Sequence, residues 1–160
     1  MKESSNTNSS SHIVYALILA LCMAPMAGDA QANFVAGMDA RQLSQEVKVW
    51  LKSGNSLVVI AKAAHDAGLN SEQVASSLIE SGQNPAEVVA ALIKIDPNAA
   101  RLITVAALTK KPAQASAITA AAISAAPQQS RAIILEALTV PDVNPSDVLS
   151  ATASGGSSDK

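Results

Sequence analysis

The sequence predicts an all-α array of about seven to eight short helices, and three observations predict it. Alanine carries much of the 49% hydrophobic content. Aromatic residues make up only 2%. Glycines, and after them prolines, recur at fixed spacing. Alanine is the strongest helix former, whereas a sandwich or barrel wants many aromatic residues beside its valines. Alanine buries little area, so such a core relies on close helix approach. A chain of 160 residues allows one domain.

The chain opens with a polar stretch whose only basic side chain is Lys2. An apolar run follows from His12 to Ala24, and Pro25 and Gly28 break it. Ala30-Gln31-Ala32 then places small residues where a signal peptidase reads them. A polar head, an apolar stretch of about 7–15 residues and a small-x-small site make a secretory signal. The expected division is a signal peptide over 1–32, a short linker over 33–38, a helical repeat domain over 39–153 and a disordered tail over 154–160. The mature chain is then expected to start near Asn33 and to be periplasmic or secreted by bacterial-type export.

Two alternatives compete with that reading. One is a membrane anchor formed by an uncleaved N-terminal segment, although the run is shorter than the roughly 20 residues needed to span a bilayer. The other is lipidation at Cys22. Leu19-Ala20-Leu21-Cys22 resembles a lipobox, but Leu21 stands where that signal wants Gly, Ala or Ser. Cys22 is the only cysteine, so the expected mature chain can hold neither a disulfide nor a thiolate metal site.

The first set of repeats is marked by Gly54, Gly68 and Gly82, spaced by fourteen. Each precedes a candidate cap: Ser56, Asn70-Ser71 and Asn84-Pro85. Ile60 aligns with Val74 and Val88, and Ala64 with Leu78 and Leu92. The second set is marked by Pro97, Pro112 and Pro127, spaced by fifteen. Ile103, Ile118 and Ile133 align, as do Ala107, Ala122 and Ala137, then Leu108, Ile123 and Leu138, then Thr109, Ser124 and Thr139. Arg101 and Arg131 match across one skipped unit, which suggests that alternate helices face the same way. The step from Pro85 to Pro97 is irregular.

Each unit reads as a helix of about ten residues and a tight turn. Proline suits the first helical position, where its missing N–H is not needed. Asn84, Asp96 and Asn144 precede prolines as candidate caps. Asn84 with Glu87 and Asn144 with Asp147 resemble capping boxes. Gly68 and Gly82 suit the left-handed residue beyond a helix end, with Leu69 as the accompanying apolar contact. Helices this short must stack to be stable, as an α-solenoid or as a compact bundle. Asp39 to Lys52 is a separate first helix whose apolar stripe is Leu43, Val47, Trp50 and Leu51, with Trp50 as a core anchor. The last unit is expected over Pro145 to about Ala153.

Little chemistry is legible. His65 and Asp66 are adjacent, and adjacent residues on a helix point about 100° apart rather than at one another. His65 reads better as a partner of the helix C-terminal dipole. One histidine and scattered carboxylates make no metal-ligand cluster. The glycines follow the repeat and form no phosphate loop, and no serine sits in GxSxG. We therefore expect no catalytic, cofactor-binding or metal-binding residues. A formal net charge of -2, with no basic stripe, gives nucleic-acid binding no electrostatic support. Lys110-Lys111 reads as solvated turn chemistry.

The stretch Pro112 to Ser130 carries no charged residue. It is either a central helix shielded on both sides or an alanine-lined surface that packs a partner or a second copy. The pattern over about residues 54–150 is similar in style to the alanine-rich, proline-punctuated helical repeats of many exported bacterial proteins. That resemblance carries no functional residues. The signature positions of tetratricopeptide, ankyrin and HEAT repeats are absent, and the period is too short for them.

The expectation is an exported, non-catalytic interaction or accessory module of an envelope or surface assembly, with a protein partner or a second copy. The alternative is a self-associating structural subunit of an extracellular filament or layer.

Overall fold

From the second described helix onward, the helix starts follow a regular spacing of fourteen and then fifteen residues. The computed structural model describes residues 34–155. The expected export signal and Cys22 lie outside the described residues, as does the chain beyond Gly155. Eight α-helices are described, and no strand: α1 (Ala40–Lys52), α2 (Leu57–Asp66), α3 (Ser71–Glu80), α4 (Pro85–Ile95), α5 (Ala100–Lys110), α6 (Ala115–Ala125), α7 (Ser130–Ala137) and α8 (Pro145–Gly155). α2, α3 and α4 start fourteen residues apart. From α4 onwards every start is fifteen residues after the last.

The irregular step between the two sets of repeats therefore disappears. Pro85 and Pro145 open α-helices directly. Pro97, Pro112 and Pro127 each open a single 3-10 turn that leads into the next helix. The prolines mark two different positions of one period, so counting between them mismeasures it.

Two kinds of punctuation separate the helices. The first three end on a left-handed glycine, with φ of 80° at Gly54, 73° at Gly68 and 90° at Gly82. After α2, the Gly68 N–H donates to the His65 carbonyl at 2.8 Å and the Leu69 N–H to the Ala64 carbonyl at 3.0 Å. This pair of bonds is the Schellman closure, and Leu69 is buried beside it. α4, α5 and α6 end instead on Asp96, Lys111 and Ala126, with φ between -128° and -142°. Each of the three precedes a proline, whose ring excludes the helical conformation from the residue before it.

The caps are redistributed relative to the expectation. Ser56 and Asn70 cap α2 and α3. The reciprocal box forms at Asp39 with Gln42, not at Asn84–Glu87 or Asn144–Asp147. Both asparagines accept instead from the backbone N–H two residues on, at Ala86 and Ser146, each at 3.0 Å. Asp96 caps nothing. Its carboxylate accepts from the Ser71 hydroxyl at 3.0 Å, which ties the start of α3 to the end of α4.

Packing follows the alternation that Arg101 and Arg131 suggested. α1 packs on α3, α3 on α5 and α5 on α7, while α2 packs on α4, α4 on α6 and α6 on α8. Consecutive helices pack across the two rows, and helices more than two steps apart make at most glancing contact. Two open layers with second-neighbour stacking make an α-solenoid, not a bundle closed on itself. Arg101 of α5 reaches Glu136 of α7 at 3.9 Å. Between the lead-in turns of the same two helices, the Gln129 amide donates to the Pro97 carbonyl at 2.6 Å.

One aligned row of aliphatic side chains runs through the core. Ile60, Val88, Ile103, Ile118, Ile133 and Val148 are fully buried, and Val74 almost so, at one aligned position of successive helices. Each such side chain contributes about 1.5–3 kcal/mol when taken from water. At the N-terminal end Trp50 is buried and its indole N–H donates to Glu46 at 3.1 Å. Phe34 packs on it with ring centroids 5.4 Å apart. Part of the segment expected as a linker thus belongs to the core. At the other end α8 extends to Gly155, two residues beyond the expected Ala153.

Candidate functional site

His65 is exposed in the last turn of α2, where its ring can favour the helix C-terminal dipole. The neighbouring Asp66 carboxylate pairs with Lys62, four residues back, at 2.6 Å. The adjacent pair is therefore not brought together as an acid–base couple. Lys110 also has a partner, Glu80 of α3, at 2.5 Å. It helps to tie α3 to α5, so only Lys111 of the expected basic spot keeps to its turn. There it lines a shallow recess of about 220 Å³ with Asn84 and Gln114. Among the described residues no three His, Cys, Asp or Glu side chains converge as a metal-ligand cluster. No described helix is long and apolar enough to cross a membrane.

The charge-free stretch forms the Pro112–Gln114 turn and α6, which is enclosed by α4 and α8 within its layer and by α5 and α7 across it. Ala115, Ile118, Thr119, Ala122 and Ile123 are buried. Of the two readings of this segment, the structure shows the shielded central helix. Thr119 is fully buried and its hydroxyl meets no hydrogen-bond partner. Thr104, at the same position of α5, donates to the Ala100 carbonyl at 2.7 Å.

The common period exposes a feature that the sequence reading missed. In each of α2 to α6 the residue after the core aliphatic is buried. This position holds Val89, Thr104 and Thr119 in α4, α5 and α6, all fully buried. It is half-buried at Ile134 of α7 and 56% exposed at Leu149 of α8. Four residues further on, Ile93, Leu108 and Ile123 are buried, while Leu138 is 39% exposed. Ala153 of α8 is exposed. The side chains that seat the next helix are thus present at the C-terminal end of the array, with no described helix over them.

The opposite end differs in chemistry. α1 turns Arg41, Gln45, Lys48 and Lys52 away from its buried stripe, with Val49 among them. α2 turns out Val58, Val59 and Lys62. Two further large apolar side chains are exposed on the α1–α3–α5–α7 layer. Leu102 of α5 and Leu135 of α7 are both more than half exposed there, close in sequence to Arg101, Arg131 and Glu136.

No family model matches this chain, and neither a curated protein nor a solved structure shows similarity to it.

Proposed function

We propose that the protein is an exported, non-catalytic helical-repeat module that binds a protein partner in an envelope or surface assembly. The observation that carries this reading is the pair Leu102 and Leu135. They stand on helices that stack directly on one another, and together they put large apolar side chains on an outer face. An open two-layer array exposes long faces of this kind, and repeat proteins use them for binding. The charged groups beside the patch, Arg101 and Glu136, already neutralise one another across α5 and α7. A partner is therefore recognised there mainly by apolar side chains, with Arg131 as a polar contact at the rim.

Export is supported by the order of polar head, apolar run and Ala30-Gln31-Ala32 in the sequence. The test combines intact mass with cross-linking. The native protein recovered from each cell fraction is expected in the periplasm or medium, starting near Asn33. A photo-cross-linking residue at position 135 is expected to trap one discrete partner, and Leu102→Asp to abolish the adduct. An unprocessed or lipidated membrane form contradicts export. A cross-link unaffected by Leu102→Asp contradicts the binding face.

A second reading, a self-associating structural subunit of a filament or layer, is favoured by the uncovered helix-seating side chains of α7 and α8.

A further inference from the structure

We infer that the array stacks head to tail, with the α7–α8 end of one molecule receiving the α1–α2 end of a second copy. The inference deepens the self-association reading and does not depend on export. Its basis is register. Leu149 and Ala153 on α8, and Ile134 and Leu138 at α7, continue positions that interior helices bury under the next helix of the layer. The surface is thus shaped for one more pair of helices of this same spacing. In a second copy the first described helices, α1 and α2, are such a pair.

Charge selects the orientation. The segment from α1 through α2 carries Arg41, Lys48 and Lys52 against Glu46, besides Lys62 and Asp66, which pair with each other. The segment from α7 through α8 carries Asp142 and Asp147 against Arg131, besides Glu136, which already pairs with Arg101. Two C-terminal ends facing each other would oppose like charge, whereas the N-terminal end brings the opposite sign. Val49, 51% exposed, supplies the apolar side of that contact, where the glycine-aligned Ser77 and Ala91 are buried in α3 and α4. A contact between two different surfaces of one chain does not close on itself, so it builds open linear chains.

The experiment uses two blocking variants of the full-length protein. Leu149→Glu blocks the C-terminal end and Val49→Glu the N-terminal end. Both side chains face solvent in the monomer, and circular dichroism checks that each variant folds. The native protein is expected to grow in mass with concentration, and each variant alone to stay monomeric. An equimolar mixture of the two is expected to give a 1:1 dimer, because each supplies the end that the other lacks. A native protein that stays monomeric at high concentration overturns self-association altogether. Self-association that persists in both variants, or two blocked variants that fail to pair, overturns the head-to-tail contact alone.

Discussion

Leu149 stands on α8 where Val89 stands on α4, four periods of fifteen residues earlier, yet Val89 is fully buried and Leu149 is 56% exposed. The backbone setting is the same at both. The difference is that α6 lies over α4 in the same layer, while no described helix follows α8. Stability in such an array resides in the interfaces between neighbours, so an end position reports a missing interface.

Thr119 carries the clearest stability prediction. Its hydroxyl is buried without a partner, while the equivalent position of α4 is Val89. An unsatisfied buried polar group costs about 1–3 kcal/mol. Thr119→Val is expected to stabilise the protein by about 1 kcal/mol in urea unfolding, at the low end of that range. Thr104→Val is expected to gain less, because the Thr104 hydroxyl is already bonded to Ala100. Equal gains at the two positions would contradict the account.

Gly82 holds a left-handed backbone at φ 90°, and a Cβ added there would meet nothing within 4 Å. The cost of Gly82→Ala is therefore conformational, about 1–2 kcal/mol. Gly82→Asn is expected to lose less, since Asn tolerates this region better. Thermal unfolding of both variants measures the order.

Trp50 is the only tryptophan, so its fluorescence reports the N-terminal end alone. Phe34→Ala removes the ring packed against it. The Trp50 emission is expected to move to longer wavelength while the helical content holds. An unchanged spectrum would place Phe34 outside the core.

Asp66 forms an exposed helical ion pair with Lys62. Such pairs contribute about 0.3–0.5 kcal/mol. Asp66→Ala is expected to change stability by no more than that, and His65→Ala to leave any cellular phenotype intact. A lost phenotype in folded His65→Ala protein would point to chemistry at this helix end.

The fold class was legible because glycine and proline punctuation and the aligned isoleucines are local signals. The turn at Gly68, the first helix and the buried Trp50 could all be read directly. The continuity of the spacing across Pro85 and Pro97 was hidden, because prolines at two different helix positions obscure it until the helix starts are known. Asp96 was misread because a residue before proline that looks like a cap can instead bond across to Ser71. The seating face at Leu149 was within reach. Aligning the Pro145 unit with the Pro85 unit sets Leu149 against Val89. Its exposure, however, depends on which helices follow in space.

The proposed binding face and the end-to-end contact both rest on alternate helices stacking within a layer, and the Ser116 and Ser150 hydroxyls, 3.2 Å apart between α6 and α8, give the most direct test. Replacing both with cysteine and oxidising gently is expected to yield an intramolecular disulfide, seen as altered mobility of the monomer without reductant. A pair that stays reduced, or that links only between molecules, would contradict the stacked array.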